Sequence, residues 1–179
     1  MEEQKLKFQQ FAYENHVSLN SETDEFLIET APLIGFIIHD FNLLDETLNR
    51  GIWEQISDRS DERGAIITET LTFSAKIELF KKLSKSFEIG FGYQIPILNS
   101  LIEDLKKAAT FRNAIVHAEW YNMNENGYTF VKLKFEKDGL NQHYWQFSKE
   151  SLLKIIDFIN ATLNKFSLFW EEKQDMHSR

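Results

Sequence analysis

Apolar side chains recur at steps of three and four over most of this chain, and at steps of two in one late stretch. Between 31 and 50, Ile34, Ile37, Phe41, Leu44 and Leu48 line one helical face. Thr30 suits the N-cap of that helix, Pro32 its first turn and Gly51 its C-terminal stop. A second helix is predicted over about 72–88, capped by Thr70 or Thr72. Phe73, Ile77, Phe80, Leu83 and Phe87 form its inner face, which leaves Lys76, Lys81, Lys82 and Lys85 largely to a solvated one. Gly90 and Gly92 interrupt the pattern, and a third helix starts near Pro96 with Leu98, Leu101, Leu105 and Ala108 inward. Ser148 caps a last helix whose stripe is Leu152, Ile155, Ile159, Leu163, Phe166 and Trp170.

After His117 the period falls to two. Residues 119–123, 128–136 and 142–147 read as short strands, with Asn126-Gly127 and Asp138-Gly139 as hairpin dipeptides. Two segments are less regular. Residues 2–13 suggest a short helix containing Leu6 and Tyr13, and the charge-rich 57–70 reads as an exposed connection. No amphipathic helix buries its apolar face alone, so the fold class is mainly α. The expected architecture is a bundle of four main helices, with a small antiparallel hairpin or meander inserted before the last. Residues 1–179 form one domain with a core over about 31–170.

Composition narrows the chemistry. The chain has no cysteine, which excludes disulfides and thiolate ligands. No signal-peptide pattern opens it, and its uninterrupted apolar runs are a few residues long. A soluble, cytoplasmic protein without membrane association is expected. Net charge is −8, which disfavours electrostatic coating of duplex DNA. Residues 1–70 hold five basic and fifteen acidic side chains, a net of −10, whereas 71–111 hold six and four, a net of +2. The acid therefore lies in the first part of the chain, and a local basic surface remains open in the third quarter.

Against this background one position conflicts with its surroundings. The series Leu98, Leu101, Leu105, Ala108 continues to Arg112 and then Ile115. A guanidinium in a core register needs a carboxylate, a backbone acceptor or a phosphate, because a buried unpaired charge is costly. Asn113 follows it and His117 closes the helix five residues on. An Arg-Asn pair with a histidine at that distance is expected by chance about 0.007 times in a chain of this composition.

The stretch Arg112, Asn113, Ala114-Ile115-Val116, His117 resembles the signature of the HEPN superfamily, helical domains associated with nucleotide binding and RNA cleavage. The order of amphipathic helices over about 31–170 resembles that family more loosely. The resemblance implies a homodimer whose two signatures face one another across the two-fold interface. It also implies, for many members, metal-independent endoribonuclease activity without a cofactor, often in a toxin–antitoxin or phage-defence setting. Other members are inactive modules that bind a nucleotide, RNA or a partner protein. Carried over by position, Arg112 and His117 are the catalytic pair and Asn113 the supporting polar residue. One subgroup carries a modified tyrosine two places after the histidine; Glu119 stands there in this chain, so that regulation is not carried over.

The residue types suit that chemistry. Histidine exchanges a proton near neutral pH, and arginine stabilises charge growing on phosphoryl oxygens. Asn113 and His117 share a helix face, whereas Arg112 and His117 lie about 140° apart on a regular helix. Either the helix distorts near His117 or a second copy supplies the missing group. Plainer roles compete. Arg112 can pair with Asp45 or Glu46, His117 can satisfy helix-terminal carbonyls, and Trp120 and Tyr121 can pack in a strand. His16, His39-Asp40, His143 and His177 show no metal-ligand spacing, and the chain has no phosphate-binding glycine loop.

Overall fold

A computed structural model describes residues 3–7, 21–56, 61–117, 123–124 and 127–177. The described residues are mostly helical, with five helices among them: α1 Ser21–Ile56, α2 Asp61–Thr68, α3 Phe73–Phe91, α4 Leu98–Val116 and α5 Lys149–His177. Four strands accompany them, β1 Glu3–Lys7, β2 Met123–Asn124, β3 Gly127–Glu136 and β4 Gly139–Phe147. The chain divides into two compact units. One comprises Met1–Ile37 and Asn113–Ile156, the other Ile38–Arg112 and Asp157–Arg179.

The first unit carries an antiparallel sheet in the order β1-β4-β3-β2. The β3–β4 hairpin before the last helix agrees with the period-two pattern. Its turn is shifted by one residue: Glu136 pairs with Gly139 around Lys137 and Asp138, and Gly139 takes a φ of 115°. A glycine supplies the positive φ at the first residue of β4, and no described residue other than glycine adopts one. The polar end of this hairpin is cross-linked. The Asn141 amide donates to Asp138 Oδ1 at 2.8 Å and to Glu136 Oε2 at 3.3 Å, and Glu136 Oε1 lies 3.2 Å from His143 Nε2.

The N-terminal segment corrects an expectation. Residues 3–7 form a strand, not part of a helix over 2–13, with Glu3 opposite Trp145 and Lys7 opposite Asn141. Main-chain pairing to an otherwise unpaired edge of β4 decides its form. That partner lies at the far end of the chain, outside the reach of local periodicity. The remainder of 8–13 lies outside the described residues.

At α5, Ser148 caps the helix as anticipated. Its Oγ accepts the Ser151 N–H at 3.3 Å and its carbonyl the Leu152 N–H at 3.0 Å.

The second unit packs apolar faces of α1, α3, α4 and α5. Leu44, Leu48 and Ile52, then Phe80, then Leu98, Leu101 and Leu105, then Ile159 and Phe169 are fully buried. Phe80 lies 5.4 Å from Phe166 and 5.1 Å from Phe169, ring centre to ring centre. Gly51 does not end a helix, contrary to its expected role. It is buried inside α1, where a Cβ would come 3.3 Å from Phe80 and 3.4 Å from Trp170.

Two other expected landmarks of α1 are interior as well. The Thr30 hydroxyl donates to the Phe26 carbonyl at 2.7 Å in place of capping. Pro32 has no N–H for the Ile28 carbonyl, but both residues are exposed, so water can serve that acceptor.

Residues 61–68 are also helical, not an open connection. Gly64 brings α2 against Trp53, whose indole N–H donates to Thr68 Oγ1 at 2.8 Å. Lys76 leaves the solvated face assigned to it. It is buried, with its ammonium 2.8 and 3.0 Å from the two oxygens of Asp45.

α3 begins at the predicted cap, Thr72, and ends at Gly92 in the left-handed conformation. The Gly92 N–H donates to the Ile89 carbonyl at 3.3 Å, and the Tyr93 N–H to the Glu88 carbonyl at 3.1 Å. Gly90, expected to break the helix, lies within it. Buried Glu88 fixes the exit from α3, since its carboxylate accepts the Ile95 N–H at 2.8 Å and the Lys85 ammonium at 2.6 Å.

Among the described residues α1 is the one helix long and apolar enough to cross a membrane by length and composition. Single charged residues interrupt its apolar runs, which is why no long run stands out in the sequence. Its most apolar 18-residue stretch is 22% buried; in the second unit Leu44, Leu48 and Ile52 are buried and Asp45 is paired.

Two stability predictions follow from these contacts. A Cβ on Gly64 would sit 2.4–2.7 Å from three Trp53 atoms. Gly64→Ala therefore lowers the unfolding free energy in urea by about 1–3 kcal/mol, even though alanine is the better helix former. Acid sensitivity is the second. Glu78 lies below the ordinary carboxylate value of 4.5 because Lys106 donates to it, and Glu150 lies below it through bonds at its own backbone and from Ser148. A lowered folded pKa means stability present above 4.5 and lost as pH falls through the folded value. Urea midpoints measured from pH 5 downward fall less steeply in Glu78→Gln and Glu150→Gln than in wild type.

Candidate functional site at the end of α4

α4 is continuous through the motif. Its last helical bond runs from the His117 N–H to the Asn113 carbonyl at 3.1 Å, so the helix does not distort before the histidine. This i to i−4 bond puts Asn113 and His117 on one face, as their spacing predicts. Both are exposed, and the Ile115 side chain between them is buried. The residues that follow, including Glu119, Trp120 and Tyr121, lie outside the described residues.

Arg112 belongs to the second unit and Asn113 and His117 to the first, so each is placed within its own. Arg112 is half-buried, in keeping with its place after Ala108 in the inward series. Its guanidinium lies 5.7 Å from the centre of the Phe41 ring, which in turn lies 4.6 Å from the Phe73 ring. A planar cation on a ring face keeps its charge while covering apolar surface. Of the carboxylates expected near Arg112, Asp45 holds Lys76 and Glu46 accepts from Arg50.

Neighbouring contacts hold this level of the second unit together. Phe111 meets Phe158 edge-on at 5.5 Å, and the Lys107 ammonium lies 5.0 Å from the Phe158 ring centre. Asn160 donates to Asp40 at 3.3 Å, and the other Asp40 oxygen lies 3.0 Å from His39 Nδ1. The sequence showed His39 beside Asp40, but Asn160 is a distant partner that no spacing rule supplies. Among the described residues no three His, Asp or Glu side chains are grouped to hold a metal ion.

No family model, curated protein or solved structure matches this chain.

The stacking of Arg112 on Phe41 is measurable. A double-mutant cycle of Arg112→Met and Phe41→Leu is expected to give a coupling of about 0.5–2 kcal/mol in unfolding free energy. Additive effects would show that the two side chains do not support one another.

Proposed function

We propose that the chain is a HEPN-like, metal-independent endoribonuclease that cleaves single-stranded RNA as a homodimer. The observation that supports this reading is Arg112: a guanidinium in the inward register of an apolar helix, followed by exposed Asn113 and His117 on the next turn. In the proposed reaction the RNA 2′-hydroxyl attacks the adjacent phosphorus as a histidine removes its proton. The bond from phosphorus to the 5′-oxygen breaks, and that oxygen takes up a proton. The products are a 2′,3′-cyclic phosphate and a 5′-hydroxyl. Arg112 stabilises the charge that grows on the non-bridging oxygens, and the Asn113 amide orients the imidazole.

A regular helix sets Arg112 and His117 about 140° apart, which favours a composite site: Arg112 from one chain and His117 from the other. A toxin or phage-defence role, with an antitoxin protein as a further partner, accompanies this proposal through the family resemblance alone. The net charge of −10 over residues 1–70 favours a second reading, a non-catalytic HEPN-like module that binds a nucleotide, RNA or a protein.

The test is cleavage of single-stranded RNA in EDTA. Arg112→Ala and His117→Ala are each expected to lower the rate by about 10²–10⁴-fold, with 2′-deoxy substrate resistant. Mixing the two inactive variants distinguishes the composite site. Random exchange leaves one intact site in half of the dimers, so about a quarter of wild-type activity returns. Absence of cleavage by wild type on varied RNAs selects the non-catalytic reading, and light scattering that finds only monomer removes the shared site.

A further inference from the structure

We propose that a cavity of about 300 Å³ in the second unit, between the ends of α1, α3 and α5, binds an uncharged planar heteroaromatic ring of nucleobase size. It lies near Gln55, which is fourteen positions beyond Phe41 on α1, or about 21 Å of axial rise, so it is not part of the Arg112 region. The inference stands independently of the RNA-cleavage reading.

Three features support the site. The first is an aromatic wall. Phe87 and Phe91 pack with ring centres 4.4 Å apart, and Phe91 keeps 51% of its surface exposed. A large, partly bared ring at a cavity offers a stacking face.

The second is a fixed polar edge. Lys173 is 8% exposed, and its ammonium lies 4.8 Å from the Phe87 ring centre and 4.7 Å from that of Trp170. Gln55 is held by two bonds, accepting from Ser84 at 3.1 Å and donating to the Gly51 carbonyl at 3.0 Å. The wall is therefore preformed, which lowers the ordering cost of binding.

The third is Gly90. It is the last residue but one of α3, with a helical backbone that any residue can adopt, and a Cβ there would meet nothing within 4 Å. Neither close packing nor a positive φ calls for it here. What its missing side chain leaves open is the cavity that it lines.

Charge selects the class of ligand. Gln55 and Lys173 belong to the final turns of α1 and α5, and Phe91 ends α3. Helix C-termini carry partial negative charge, which Lys173 offsets, so a phosphate gains little there. A neutral ring with a carbonyl acceptor for Lys173, a ring face for Phe91 and N–H donors suits this field better. The volume lies at the lower end of small-molecule sites and accommodates one ring system.

The test titrates the full-length chain with adenosine and uridine, followed by NMR at the Gly90 amide and the Trp170 indole. Saturable shifts are expected with Kd below about 10 mM, the range reached by fragments of this size. Adenosine 5′-monophosphate should bind no more tightly than adenosine. Gly90→Leu should abolish the shift at the Trp170 indole with the thermal midpoint kept or raised, and Lys173→Met should weaken binding at least about fivefold. Should Lys173→Met fold poorly, the surface change Gly90→Leu carries the test alone. Absence of saturation in wild type, unchanged binding in Gly90→Leu, or clearly tighter binding of the monophosphate would each overturn the proposal.

Discussion

The second unit depends on how closely α3 and α5 approach α1 at Gly51. With no side chain at that position, Phe80, Phe166 and Trp170 come within ordinary contact of the helix backbone. This close approach has an electrostatic consequence further along α1. Asp45 lies beside the buried Lys76 of α3, and both carboxylate oxygens are needed to compensate the ammonium. Close packing and charge compensation thus act on the same pair of helices, and each limits what the other tolerates.

The helices were legible because one apolar stripe per helix is a local property of the chain. The stripes of α1, α3, α4 and α5 were read correctly over most of their length, as was the β3–β4 hairpin. The errors share one cause. Thr30, Pro32, Gly51 and Gly90 were read as punctuation from residue type, and all four lie inside helices. Tertiary packing overrides such local preferences when a long helix is stabilised along its whole buried face. β1 and α2 failed for the related reason that their stabilising partners, β4 and Trp53, are not sequence neighbours.

The candidate site was legible to a different degree. The conflict at Arg112 could be read from helix register alone, and the half-buried guanidinium over Phe41 is one physical answer to it. That answer favours a plain stacking role as much as a phosphate-binding one, since an aromatic face stabilises a cation without demanding a ligand. What distinguishes the roles is the turn that follows. Packing explains Arg112 and the buried Ile115, but exposed Asn113 and His117 are not required by the core. Arg112 supports the functional reading only together with the exposed Asn113 and His117 that follow it.

Glycines sharpen the same distinction between residues that the fold explains and residues that it does not. Gly51 and Gly64 admit neighbouring rings, and Gly92 supplies a left-handed helix end. A Cβ at Gly64 would clash with Trp53, one at Gly51 would be tight against Phe80, and Gly92 has a φ that other residues rarely adopt. Gly35 and Gly90 face open space and have no such return within the fold. At Gly90 that open space is a cavity with an aromatic wall and a lysine in its lining. A local preference broken without structural gain is where function is best sought, because selection for folding alone would favour alanine there.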